Sequence, residues 1–372
     1  MFNRCASINH TNSSELKQLQ ELTTLRNKDL SLNPEQLIEL CLKLHPRHFP
    51  SLREFLEECR EKTVAVSLLA GSGSRLNQTI EQARAAGQQI KFDSNWPRAL
   101  FPVENCLADS PLLVPNALYS FNALRGLVHQ HVVVVRGFEE EIVRLVLAPL
   151  GIENKASFIT QHCYPGLNSP AGHGDAVLQA LPAWNQPRYP YVLANFAGDA
   201  NSFRTSFLAL LVLDTLNALG LQTQALLPVT LKEDTDYPIE RNALGYLKSL
   251  RHSKLTGLAA GRTEAAQPGE CNVGLWLFRR EILARSAQTL RTLHFQEGSG
   301  YVVPGNKTNE LALDNIMQFI VAVNPGTVRA LCVARPEQIT PMKQLSQIPA
   351  FVQSVRETTA LDLEFRRRYS LD

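Results

Sequence analysis

Leucines recur at Leu16, Leu19, Leu22 and Leu25 and again at Leu37, Leu40 and Leu44, a spacing that makes one face of a helix apolar. Asn33-Pro34-Glu35 offers an N-cap, a proline at the first helical position and an acid in the first turn. Ser51-Leu52-Arg53-Glu54 has the form of a capping box ahead of Phe55, Leu56 and Cys59. The pattern predicts three short helices before residue 62. They carry no evident chemical group, so residues 1–62 read as an accessory helical extension that packs on the core or on a partner.

From Thr63 the period changes to short apolar, β-branched runs: Val64 to Leu69, His131 to Val135, Phe158 to Thr160, Tyr191 to Asn195, Leu226 to Thr230 and Val273 to Phe278. Strands this apolar, with helical stretches between them, predict an α/β fold whose mainly parallel sheet is covered on both faces. Gly198-Asp199-Ala200-Asn201-Ser202 follows one strand and leads into a helical stretch from Phe203 to Leu219. Asp199 is thereby expected at a carboxyl end of the sheet, where open α/β sheets bind ligands. The core is expected over residues 63–330, with a C-terminal strand and helix tail over 331–372.

Composition narrows the classes. With 44% apolar and 19% charged residues the chain is of ordinary globular composition. Thirty-seven Lys and Arg against thirty-five Asp and Glu give a net charge of +2, which lacks the basic footprint of a nucleic-acid binder. The longest strongly apolar stretch, Phe207 to Leu213, is cut by Asp214, so no membrane span is expected. Seven cysteines without a CxxC pair predict neither a zinc cage nor a disulfide framework. The start of the chain lacks the apolar region of a secretory signal, and a cytoplasmic location is expected.

The most informative stretch is Val64-Ala65-Val66-Ser67-Leu68-Leu69-Ala70-Gly71-Ser72-Gly73-Ser74-Arg75-Leu76, a strand running into a turn with two glycines and a basic residue. Glycines let backbone amides approach an anion, and Arg75 adds a planar fork of donors suited to phosphate. The stretch is neither a P-loop nor a GxGxxG fingerprint.

This stretch resembles the opening signature of the sugar-1-phosphate nucleotidyltransferase superfamily, a strand followed by L-A-G/A-G-x-G-T-R-L/M. The resemblance continues in the family's order. Pro97-Arg98-Ala99-Leu100-Phe101-Pro102-Val103 is similar to P-K-x-L-x-P-V, and Pro170-Ala171-Gly172-His173-Gly174-Asp175-Ala176-Val177 to P-x-G-T-x-x-A-V. Gly198-Asp199 is similar to the family's G-D, and Asn272-Val273-Gly274-Leu275-Trp276-Leu277-Phe278 to N-x-G-x-Y-x-F.

The resemblance implies a Rossmann-like three-layer α/β/α core. It implies an in-line attack by a sugar-1-phosphate oxygen on the α-phosphorus of a nucleoside triphosphate, with release of pyrophosphate. Asp199 and Asn272 are then the ligands of Mg²⁺, a cation that takes one or two protein oxygens and completes its shell with phosphate and water. Arg75 neutralises the departing phosphates, and Arg98 stands where the family has its lysine. Leu69, Ala70, Gly71, Ser72, Gly73, Ser74, Gln161, Gly172 and His173 are implied nucleotide contacts, His173 being open to a second reading as a plain loop residue. UTP is the first expectation for the base, with CTP and dTTP next. Gly245, within Asn242-Ala243-Leu244-Gly245-Tyr246-Leu247, is the implied sugar contact, and Lys307 is weighed as a second phosphate cation against a surface lysine.

Departures from the pattern are as telling. Ser74 replaces threonine, and Arg98 replaces lysine, which keeps charge but changes geometry. The family's sugar-binding glutamate is missing from Leu258-Ala259-Ala260-Gly261-Arg262; Glu264 and Glu270 are nearby substitutes or solvated loop residues. A non-catalytic, nucleotide-binding relative with a regulatory or scaffold role is therefore the rival reading. A glycosyltransferase, with Asp234-Thr235-Asp236 as its metal motif, is the third. The partners expected are an NTP and a phosphorylated acceptor, with further partner or self-contact through the N-terminal helices.

Overall fold

The computed structural model describes residues 13–24, 34–71, 73–93, 96–107, 112–232, 238–250, 269–334 and 342–371. Three helices come first, α1 (Ser13–Thr24), α2 (Pro34–Leu44) and α3 (Leu52–Lys62). Ser51 caps α3, its Oγ accepting from Glu54 N at 3.3 Å. The alternation of strands and helices then begins: β1 (Thr63–Leu68), α4 (Ser74–Ala85), β2 (Pro102–Glu104), β3 (Leu113–Pro115), α5 (Ala117–Leu124), β4 (Gln130–Val135), α6 (Glu140–Leu147) and β5 (Ala156–Thr160). It continues with α7 (His173–Gln179), α8 (Leu181–Trp184), β6 (Tyr191–Phe196), α9 (Phe203–Ala218), β7 (Ala225–Lys232), β8 (Ile239–Arg241) and β9 (Leu247–Leu250). The last elements are β10 (Gly269–Asn272), β11 (Leu275–Arg279), α10 (Arg280–His294), β12 (Phe295–Gln296), β13 (Gly300–Tyr301), α11 (Leu313–Val323), β14 (Val328–Cys332) and α12 (Ile348–Tyr369).

The central sheet has β6, β1, β4 and β5 side by side and parallel. Its other half is built on β7, which pairs in parallel with β14 and antiparallel with β10 and β11. Asn272 faces Val229 and Leu277 faces Leu226, so β10 and β11 form one run along β7 whose register slips by two at Val273-Gly274. Among the described residues this run alone is antiparallel, in a mixed, mainly parallel sheet.

Each of the six apolar runs in the sequence falls on a strand: β1, β4, β5, β6, β7 and β11. Two strands of the central sheet escape the pattern for a physical reason. Gly269-Glu270-Cys271-Asn272 has no β-branched residue, and Arg329 interrupts Val328–Cys332.

Alternation along β1 separates the two faces. Val64, Val66 and Leu68 join a core with α7, α8, α10 and α11, whereas Ala65 points into a second core with α2, α3 and α9. α9 is buried nearly all round, sandwiched between the sheet and the N-terminal helices. A third core gathers α4, α5, α6 and α12 around Val133 and Val135 of β4. β1 connects to β4 on one side, and the chain returns to β6 on the other, so the carboxyl ends of β1 and β6 form the switch point of the sheet. No helix among the described residues is long and apolar enough to cross a membrane.

Candidate active site at the switch point

Beyond β1, Leu69 and Ala70 are buried, and Leu69 N donates to Val134 O at 2.9 Å, extending the ladder by one residue. Among the described residues, its chain neighbours apart, nothing lies within 4 Å of where a Cβ on Gly71 would stand. Gly73 is the N-cap of α4 with φ of 61° and has no side chain to satisfy the first amides of the helix. Arg75, in the first turn of α4, is exposed. Ser74 begins α4, and Ser72 lies outside the described residues.

Arg98 crosses from the neighbouring loop. Its guanidinium Nη2 lies 2.6 Å from Asp199 Oδ1, each side chain about a quarter exposed. Three glycines from three loops make room for this pair. A Cβ on Gly73 would stand 3.1 Å from Arg98 N, one on Gly198 would meet Arg98 Nε at 3.2 Å, and one on Gly274 would strike Asp199 Oδ2 at 2.7 Å. Gly274 sits in the register slip between β10 and β11 with φ of +77°, a conformation natural to glycine.

Asn272 stands on the same slip, two residues from Gly274. Its Oδ1 accepts from Gly274 N at 3.0 Å and Leu275 N at 3.4 Å, holding the break in the strand beside Asp199. The structure thus brings Gly71, Gly73, Arg98, Asp199 and Asn272 to one corner of the sheet. Among the described residues no group of three or more His, Cys, Asp or Glu could hold a metal ion.

The loop carrying Asp199 is pinned by a buried polar network that the sequence motifs do not reveal. Asn116 Nδ2 donates to Gly198 O at 2.9 Å, and Asn201 Nδ2 donates to Phe196 O and to Ser120 Oγ. Asn195 links Ser67 to the same Ser120 hydroxyl. A legible signal existed for one member: an asparagine inside the apolar strand Tyr191–Phe196 must find partners once buried. Asn116, 82 residues from Gly198, has no such local sign.

The Gly172 segment lies on the adjoining wall. Gln161, at the end of β5, is buried and donates from Nε2 to Gly172 O at 3.0 Å, fastening the turn. Gly172 has φ of +100°, and a Cβ there would meet Leu311 O at 2.5 Å. His173 accepts from Leu313 N through Nδ1 at 3.1 Å and packs its ring against Phe196 and Trp276. Behind it, Trp276 Nε1 donates to Asp314 Oδ1 at 3.3 Å; burial pushes the Asp314 carboxyl up to about 6 against that hydrogen bond. Asp175 is deeper still, receiving the hydroxyls of Tyr164 and Tyr301 and the amide of Gln179. Burial and the Asp175 charge push Tyr164 up to about 12 and raise Tyr301.

The remaining expected contacts lie on other elements. Gly245 belongs to the tight β8–β9 turn, its N–H donating to Asn242 O at 2.9 Å and its carbonyl accepting from Arg241. Its neighbour Tyr246 packs near Gly326 and under the Arg329 guanidinium, where β14 begins. Lys307 is exposed on the loop before α11. Glu270 is not a solvated loop residue: it is buried on β10 and paired with Arg241 through two contacts of 2.7 and 2.6 Å. Glu264, Arg262 and Asp234-Thr235-Asp236 lie outside the described residues.

No family model matches the chain, and no curated protein does. Among solved structures, HddC from Yersinia pseudotuberculosis is similar at 10% identity and a TM-score of 0.47, over 78% of this chain and 98% of that one. HddC complexed with GMP-PN is similar at 11% identity and a TM-score of 0.42, with the same coverage. Likenesses this distant carry nothing about the activity of this chain.

Proposed function

We propose that the protein is a nucleotidyltransferase, moving a nucleoside monophosphate from an NTP to a sugar-1-phosphate or similar phosphorylated acceptor and releasing pyrophosphate. The observation that carries this reading is the Arg98–Asp199 pair at the sheet's switch point, set against a glycine turn that opens an uncapped helix. A triphosphate laid there would meet the backbone amides at the start of α4, the positive end of that helix, and the guanidinium groups of Arg75 and Arg98. The attacking phosphate is already an anion, so no side-chain nucleophile is required. Rate enhancement comes from orientation and from neutralising charge as pyrophosphate departs.

Asp199 fits the role of an oxygen ligand to Mg²⁺, being a half-buried carboxylate at the rim. Asn272 fits less well, because its Oδ1 already accepts two backbone N–H groups. The metal, when bound, would supply charge neutralisation on the phosphates. Arg98 would hold phosphate oxygens with its remaining donors, and Gly71 would let the chain approach closely. UTP is the favoured donor.

The test is pyrophosphate release from UTP, CTP, dTTP, ATP and GTP against a panel of sugar-1-phosphates. Turnover with one pair, falling about a thousandfold in Asp199→Ala, is the expected outcome. The second reading, a non-catalytic nucleotide binder, is favoured by the engagement of both Asp199 and Asn272 within the protein. It wins if an NTP binds and no pair turns over; if no NTP binds at all, both readings fall.

A further inference from the structure

The pair that marks the site also closes it. Asp199 Oδ1 is held by Arg98 Nη2 at 2.6 Å, and the notional Cβ on Gly274 shows Oδ2 pressed against that backbone. A Cβ on Gly198 would crowd Arg98 Nε at 3.2 Å, so the glycine eases the reach of Arg98 to the carboxylate. A lysine at this position would offer one compact ammonium; arginine offers a fork that can grip a carboxylate with one nitrogen and be drawn off by a phosphate with the others. Two cations compete for one carboxylate, and the one already in the protein has the local concentration.

Building on the nucleotidyltransferase reading, we propose that Arg98 is a polyphosphate-responsive cover on Asp199. A divalent cation alone meets a neutralised carboxylate and binds weakly. A polyphosphate, entering over α4, takes the Arg98 guanidinium for itself and leaves Asp199 able to bind the cation. Loading is thereby coupled: the site accepts metal together with a phosphate chain and resists the bare ion. By linkage, bound polyphosphate strengthens the hold of Asp199 on the cation by the same factor as bound cation strengthens the hold of the site on polyphosphate.

The experiment measures binding by the full chain, without turnover. Mn²⁺ alone is titrated by the loss of its free-ion spin resonance signal, and inorganic pyrophosphate is titrated calorimetrically without metal. Arg98→Gln is expected to bind Mn²⁺ about tenfold more tightly than wild type, the scale of a charge-assisted hydrogen bond released. Adding Asp199→Asn to it is expected to abolish the gain, and Asp199→Asn alone is expected to tighten pyrophosphate. Arg98→Lys, a milder change, is expected to fall between wild type and Arg98→Gln and stands in should Arg98→Gln not fold. Equal Mn²⁺ affinity in wild type, Arg98→Lys and Arg98→Gln overturns the cover while leaving the enzymatic reading intact. Absence of pyrophosphate binding in every protein, wild type included, overturns both.

Discussion

The Asp362 carboxylate of α12 caps the start of α9: its Oδ2 accepts from Phe203 N at 2.7 Å, and its Oδ1 from Ser202 Oγ at 2.7 Å and Arg204 N at 3.1 Å. Ser202 also caps α9 itself, accepting from Thr205 N, and stands three residues after Asp199. Burial pushes the Asp362 carboxyl up, while these donors favour its charged form. A residue near the end of the chain therefore fixes the helix that anchors the Asp199 loop.

Asp362→Ala strands three donors at a buried helix start and is expected to cost between about 2 and 3 kcal/mol in urea denaturation. Asp362→Asn keeps an acceptor and is expected to lose about half as much. Equal losses in the two variants would tie the effect to the carboxylate's charge, and no loss in either would show that the cap contributes nothing.

Glu270 yields a second expectation. It and Arg241 are both almost fully buried, and Arg241 also donates to Gly245 O. Glu270→Gln leaves a buried guanidinium without its counter-charge, a change that costs about 3 to 5 kcal/mol. A sugar-binding role predicts a different outcome, a raised KM with an unchanged melting temperature. Measuring both quantities on one variant separates them.

The strands were legible because buried parallel strands are written as unbroken apolar runs, as in Val132-Val133-Val134-Val135. β10 was not, since its pairing with β7 depends on tertiary neighbours rather than on its own residues. For the site, glycines and charged residues in short stretches marked Gly73, Arg98 and Asp199 correctly as one neighbourhood. The sequence could not show that Arg98 grips Asp199, because a pair 101 positions apart leaves no local trace. Gly245 stands in the β8–β9 turn, where a glycine reads alike in sequence whether it faces a ligand or closes a hairpin.

Asp314 gives the pH dependence its sign. Burial lifts its carboxyl from 3.8 to about 6, so the folded state holds a proton that the unfolded state releases. The stability this contributes is complete below about pH 4 and is lost as pH rises through about 6. Asp314→Asn, which cannot ionise, is expected to gain on wild type across that window by about 2 to 3 kcal/mol, at 1.36 kcal/mol per unit. Chemical denaturation of both proteins at pH 4 and pH 8 checks it, and a constant difference between them would refute the assignment.

Gly71 and Gly274 flank the same corner, yet their alanine variants should fail in different ways. At Gly274 the new methyl would meet Asp199 Oδ2 at 2.7 Å in a left-handed conformation. Strain of about 1 to 2 kcal/mol follows, and the carboxylate must move, so stability and turnover fall together. At Gly71 no atom of the other described residues lies within 4 Å of the new methyl, and the native fold accommodates it within about 0.5 kcal/mol. The open space there is where a phosphate chain would run, so Gly71→Ala is expected to weaken NTP binding at an unchanged melting temperature. Melting curves with and without UTP read both effects on each variant. Retention of the full UTP-induced shift by Gly71→Ala would move the triphosphate away from this turn, and with it the argument that α4 and Arg75 face the ligand.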